Sequence, residues 1–314
     1  MKLYRLRGLA VVVGLVLLVA RQAGAHSATG PCADCHTMHN SQDGAMENLA
    51  GPQAFLLKLS CIGCHAYTTN LLATGRADGT GGPAAPQVGP QVAGGGAQLS
   101  GGYFNVTGGA ADSNTHNVAD LSGAVADSVL LANGATTAPG GAFAIDNGSG
   151  APVLRCDSCH DPAIGHATAD SVRAGDATSS YRMLHRGAQY VSGTGDGIFE
   201  AGVGSNQYNA ASMNLFCATC HGIFHGAAGT GSSGAWIRHP TDVSTSAYGA
   251  NYNGSDKVVP VGDAGSTDMV MCLSCHRPHG NANPDMLRFA YDGTSNLAGD
   301  VTASQGCETC HGVK

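Results

Sequence analysis

All twelve cysteines of this 314-residue chain occur in six copies of one short pattern, Cys-x-x-Cys-His. The pattern is typical of c-type haem attachment, in which both thiols bond to the porphyrin and the histidine faces the iron. A zinc site or a disulfide framework would not require a histidine after every second cysteine. We therefore expect six haem c groups. The expected attachment residues are Cys32, Cys35, Cys61, Cys64, Cys156, Cys159, Cys217, Cys220, Cys272, Cys275, Cys307 and Cys310. The expected proximal iron ligands are His36, His65, His160, His221, His276 and His311.

The composition leaves few large side chains for a conventional hydrophobic core. Aromatic residues make up 5% of the chain, and glycine occupies 47 positions. Six porphyrins would supply the missing apolar interior, and without them the chain should be largely unfolded. We expect mostly irregular coil, with short helices and a few short strands wrapped around the haems. Residues 54–59 are expected to form a short helix that leads into Cys61.

The longest interval between motifs separates His65 from Cys156 and is rich in Gly, Ala, Ser and Thr. One interpretation is a linker between two haem domains. His116 lies within this interval, however, and is a candidate iron ligand. We therefore favour a single hexahaem cytochrome domain over residues 26–314.

Residues 1–25 predict a cleaved secretory signal peptide. Three basic residues precede an apolar run that is short for a membrane span, and Ala-Gly-Ala at residues 23–25 offers a cleavage site. Cleavage would leave no membrane anchor and would remove four basic residues, changing the formal charge from −7 to −11. Such an acidic surface argues against nucleic-acid and anionic-lipid partners.

The second axial ligand of each iron decides between catalysis and electron transfer, because an open position permits catalysis whereas a second histidine closes it. Fourteen histidines less six proximal ones leave eight, which is enough for every iron. Methionine would be the alternative. The expected distal ligands are His39, His116, His166, His225, His239 and His279, with His26 and His185 as alternatives. We therefore expect no catalytic residues and no enzyme activity.

Two of these candidates follow a haem motif closely. His39 and His279 each lie three residues beyond a proximal histidine and leave from the proximal side of their own haem. They are expected to reach the iron of a neighbouring haem.

The ordered motifs resemble the OmcS-type outer-surface hexahaem cytochromes, which form extracellular nanowires. The similar segments are residues 35–41, 116–118, 156–162, 217–225, 238–240, 272–279 and 307–311. The resemblance implies six bis-histidine haems in one continuous stack and very little regular secondary structure. It also implies identical subunits joined head to tail, with His39 ligating the fifth haem of the neighbour. Ala163 replaces a histidine of the family, so His166 or, failing that, His185 would take its role.

Together these features predict extracellular electron transfer through a secreted, conductive cytochrome filament exported through the periplasm. Its redox partners would be other cytochromes or extracellular acceptors such as metal oxides. A soluble, monomeric periplasmic electron shuttle is the alternative, because the difference depends on one intermolecular ligand. A multihaem reductase is a third hypothesis and requires one iron with an open distal face.

Overall fold

The computed structural model describes residues 36–42, 45–46, 52, 56–57, 61, 65, 72–73, 85–86, 88, 101–102, 104, 114–121, 125–161, 183–194, 207–225, 232–233, 236–244, 269–280 and 283–288. These residues include the third, fourth and fifth Cys-x-x-Cys-His motifs in full. Several predictions of the sequence analysis lie outside them, namely the signal peptide and the roles of His26, Cys32, Cys35, Cys64, His166, Cys307, Cys310 and His311.

The described strands are two residues long and pair as antiparallel hairpins. In chain order they are β1 Ser41–Gln42 with β2 Ala45–Met46, β3 Leu72–Ala73 with β4 Ala85–Pro86, β5 His185–Arg186 with β6 Gln189–Tyr190, β7 Gly193–Thr194 with β8 Gln207–Tyr208, and β9 Ser232–Ser233 with β10 Trp236–Ile237. Gly187 turns the β5–β6 hairpin at a φ of 60°, which glycine adopts without strain.

The helices are also short: α1 is Ser128–Ala132, α2 is Ala210–Ala218 and α3 is Cys272–Cys275. Single 3-10 turns cover Cys156–Ser158, Gly222–Phe224 and Pro284–Met286. Asn209 caps α2 by accepting a hydrogen bond from the Ser212 N–H at 2.8 Å. In the part of the chain described, no helix is long and apolar enough to cross a membrane.

Two small apolar clusters hold these segments together. The larger cluster contains Val191, Tyr208, Ala210, Met213, Phe216, Met271 and Leu273. Cys159 and Cys217 pack against it, so it joins the third, fourth and fifth motifs. The smaller cluster contains Phe104, Val118 and Leu121.

The expected mostly irregular chain with short helices and strands is confirmed. Of the helical turn expected over residues 54–59, two positions are described: Leu56 lies in a 3-10 turn, and Leu57 lies outside any helix. Leu56 has a φ of 55°, and Leu57 forms an antiparallel bridge with His36. The Thr37 N–H donates to the Leu56 carbonyl at 2.7 Å, so pairing with the first motif replaces the local helical preference.

Candidate haem-binding sites

Each fully described motif folds into one tight turn. The backbone N–H of the histidine donates to the carbonyl of the first cysteine, at 2.9 Å in the third motif and 3.0 Å in the fourth and fifth. This bond closes a turn of helical type, so the cysteine and the histidine lie one turn apart on the same side. That is the arrangement in which thioethers and an iron–imidazole bond can hold one porphyrin.

A hydroxyl side chain inside each motif stabilises the turn. Ser158 and Ser274 accept hydrogen bonds from the N–H groups of Arg155 and Met271, each at 3.0 Å. In the fourth motif, Thr219 donates to the Phe216 carbonyl at 2.7 Å. A hydroxyl residue directly before the second cysteine is the sequence signal for this role, which was not among the predictions.

The hydrogen bonds of three histidines leave Nε2 available for iron. Nδ1 of His221 lies 2.7 Å from the Pro139 carbonyl oxygen, and Nδ1 of His276 lies 2.8 Å from that of Asp285. Nδ1 of His116, a predicted distal ligand, lies 2.5 Å from the Pro278 carbonyl. Since a carbonyl only accepts, Nδ1 carries the proton and Nε2 keeps its lone pair, as in metal-binding histidines.

Two pairs of histidines meet across a gap that suits one iron. The ring centres of His160 and His279 are 5.9 Å apart, and those of His116 and His221 are 6.1 Å apart. Two imidazoles on opposite sides of one metal, with bonds of about 2 Å and ring centres about 1 Å further out, would be separated by about 6 Å. Each pair joins one predicted proximal and one predicted distal ligand.

Contacts from the long second interval hold His279 in place. The Phe104 ring stacks on its imidazole with centres 4.8 Å apart. The His279 N–H donates to Gly101 at 2.7 Å, and its carbonyl accepts from the Thr115 hydroxyl at 2.6 Å. The described part of this interval therefore packs against the fifth motif.

Both distal candidates in these pairs are neutral imidazoles. Removal from water, helped by neighbouring His221, lowers the pKa of His116 to about 4. Removal from water, helped by His160, lowers the pKa of His279 to about 3. Iron requires the neutral ring, so neither residue has to lose a proton at neutral pH before it can bind.

The other described distal candidates differ in what their ring nitrogens contact. Nδ1 of His185 lies 3.6 Å from the Asp161 carboxylate, whereas Nε2 of His225 lies 3.2 Å from the Asp242 carboxylate. His239 is exposed, with Nδ1 3.0 Å from the Pro240 carbonyl.

The cysteines place successive motifs side by side. Interaction with Cys156 is the largest influence on the pKa of the Cys61 thiol, which it lowers, and interaction with Cys272 is the largest on that of Cys217, which it raises. The two thiols of each pair therefore lie close together. Burial, and then the charge of Cys220, raises the pKa of Cys159, so the third and fourth motifs are also near each other. The second to fifth motifs are therefore spatial neighbours in chain order.

The donor set fits haem iron better than a bare metal ion. In the described part of the chain, His, Cys, Asp and Glu do not gather in threes at any point that could hold a metal. Haem iron needs only two axial ligands from the protein, because the porphyrin supplies the other four. Facing histidine pairs next to paired thiols match that requirement.

Comparisons with known proteins show what the chain is similar to. A family model described as "Outer membrane cytochrome MtrC/MtrF-like, domains II/IV" matches residues 142–314. The C-type cytochrome OmcS of Geobacter sulfurreducens is 28% identical, with the match covering 91% of this chain and 86% of OmcS. Two solved structures of Geobacter sulfurreducens, an Outer Membrane Cytochrome S filament and the OmcS nanowires, match with TM-scores of 0.49 and 0.44. Their identities are 22% and 23%, and 84% of each chain is covered.

Proposed function

This chain belongs to the MtrC/MtrF-like outer membrane cytochromes, and we propose that it conducts electrons outside the cell through six bis-histidine c-type haems. The proposal includes head-to-tail polymerisation into a filament. The observation that carries it is the pairing of His160 with His279 and of His116 with His221 at the separation that one iron requires.

The ligand sets of two haems follow from this pairing. His160 and His279 would hold the iron of the third haem, attached through Cys156 and Cys159. His221 and His116 would hold the iron of the fourth, attached through Cys217 and Cys220. When bound, the haem supplies an iron that accepts and releases one electron. The protein's part is to keep both axial positions closed with neutral imidazoles, which favours electron transfer over catalysis.

The neighbouring motifs support a continuous path through the subunit. Thiols of the second and third motifs, of the third and fourth, and of the fourth and fifth are close enough to shift one another's pKa. Haems attached at these cysteines would be neighbours, so an electron could pass along them without a diffusing carrier.

The first motif supports the polymer. His39 is exposed and has a φ of 65°, between Met38, which is 75% exposed, and Asn40, which is 7% exposed. A buried residue beside an exposed apolar one and an exposed imidazole suits a turn that docks on another surface. By similarity to OmcS, His39 would bind the fifth haem of the next subunit, which makes a non-closing interface.

Electron cryomicroscopy of material shed by the producing cells tests this proposal. We expect a filament with an unbroken haem stack and His39 at an iron of the next subunit. His39→Ala should abolish filaments, whereas Ser41→Ala, in the same exposed hairpin, should keep them. Discrete particles with every iron closed from within one chain would instead support a periplasmic shuttle. If one haem per chain were high-spin in the oxidised protein, one iron would have an open axial position. That result would contradict a purely electron-conducting role and favour a reductase.

A further inference from the structure

Asp120 is a buried carboxylate bonded to the start of the third haem motif. Its side chain is 4% exposed. Oδ2 accepts a hydrogen bond from the Cys156 backbone N–H at 2.8 Å, and Oδ1 accepts one from the Arg155 guanidinium at 2.8 Å. The Arg155 side chain is 48% exposed, so water screens the cation more than the anion. The negative charge is therefore the less screened of the two.

In the fifth motif, an uncharged side chain accepts the hydrogen bond from the backbone N–H of the first cysteine. Asn214 has no exposed surface, and its Oδ1 accepts from the Cys272 N–H at 2.9 Å. The amide thus anchors the first cysteine of its motif in the same way as Asp120 anchors Cys156. Asparagine should therefore be able to replace Asp120 without loss of the bond to Cys156.

The field of Asp120 reaches both thiols at this junction. The pKa of the Cys156 thiol is raised, first by its hydrogen bond with Cys61, then by burial and then by the charge of Asp120. The interaction with Cys156 lowers the pKa of the Cys61 thiol, and the charge of Asp120 acts in the opposite direction by raising it. Any group bonded to Cys156 would feel the same field.

We propose that Asp120 lowers the reduction potential of the third haem and that Arg155 opposes this effect. The inference rests on haem attachment at Cys156 and Cys159. Reduction adds one electron to the iron and removes one unit of positive charge from the site. A buried anion stabilises the oxidised form and so lowers the potential, while a cation raises it.

Two single variants separate this charge effect from a structural one. Asp120→Asn and Arg155→Gln break the same ion pair, so a loosened turn would shift the potential in the same direction in both. A charge effect predicts opposite shifts: positive in Asp120→Asn and negative in Arg155→Gln. The matched control is Asp127→Asn, which removes one negative charge at the N-cap of α1. It should leave the potential of the third haem unchanged.

The measurement is a spectroelectrochemical redox titration of the purified holoprotein, after haem content and the mass of the peptide containing Cys156 have been determined. The redox transition whose potential shifts should belong to the haem that becomes high-spin in His279→Ala. Equal potentials in all variants, or shifts of one sign in both, would overturn the inference while leaving the proposed conduit intact. An unmodified Cys156 peptide in the wild-type protein would overturn haem attachment there, and the inference with it.

Discussion

His279 follows the fifth haem motif, yet its ring centre lies 5.9 Å from that of His160, the histidine of the third motif. It is held there by stacking on Phe104 and by two hydrogen bonds of the His279 backbone, one to the Gly101 carbonyl and one from the Thr115 hydroxyl. One segment thus carries the attachment site of one predicted haem and the distal ligand of another. Such sharing makes the positions of two haems depend on each other.

Removing either distal ligand should open one iron. His279→Ala and His116→Ala should each convert about one haem per chain from low spin to high spin. Each variant removes the imidazole whose ring faces a predicted proximal histidine at about 6 Å. Electron paramagnetic resonance of the oxidised protein and carbon monoxide binding by the reduced protein measure this. Asn117→Ala, beside His116, should stay fully low-spin. A fully low-spin His279→Ala protein would contradict the pairing.

A side chain at Gly141 should displace the fourth haem motif. A Cβ there would overlap the backbone carbonyl of Cys220 and lie 3.2 Å from the backbone nitrogen of His221. Gly141→Ala should therefore destabilise the holoprotein by about 1–3 kcal/mol, measured as a lower guanidinium midpoint of the Soret signal. At Gly222 a Cβ would meet nothing within 4 Å, so Gly222→Ala is the control. Equal midpoints for the two variants would argue against this close approach.

Asn214 should be essential to the junction between α2 and α3. Its amide nitrogen donates to Asp242 at 2.8 Å, and its oxygen accepts from the Cys272 N–H at 2.9 Å. Asn214→Ala would leave the Cys272 N–H without its acceptor and remove one hydrogen bond from Asp242, at a cost of about 1–3 kcal/mol. Chemical unfolding should show this loss. Asn133, whose hydrogen bond to Val129 is exposed, is the matched control, and Asn133→Ala should change stability by less than about 0.5 kcal/mol. Similar losses in both variants would contradict the assignment.

Without haem the chain should not keep its fold. The apolar clusters are small, and the strands are two residues long, so little besides the cofactors can offset the conformational entropy of a long irregular chain. Protein made without haem attachment should be digested rapidly by protease and lack near-ultraviolet circular dichroism, while the holoprotein resists digestion. An apoprotein as resistant as the holoprotein would show that the polypeptide has a sufficient core of its own.

Recognition of an OmcS-type cytochrome from the ordered motifs is confirmed by the curated relative and the family model. The mostly irregular fold is confirmed as well. The helical turn expected over residues 54–59 is wrong at Leu57, because the local pattern carries no information about the pairing of this residue with His36. The distal ligands stay predictions, although the positions of His116 and His279 now supply a reason for choosing them first.

Asp120 and Asn214 show why part of the site could not be read from the sequence. Each is a polar residue in an unremarkable local context, and its role depends on a backbone N–H of a distant motif. No local spacing indicates such a contact, because it forms only when separate segments pack together.

The sequence alone determined the prediction of haem attachment and the number of histidines available as axial ligands, since the attachment motif is a five-residue spacing within one turn. Which histidines face each other, and which motifs are neighbours, was decided only by the tertiary structure. The physical reason is that these rings come from segments far apart in the chain. Stacking on Phe104 and hydrogen bonds to the Pro139 and Pro278 carbonyls hold these rings as two facing pairs.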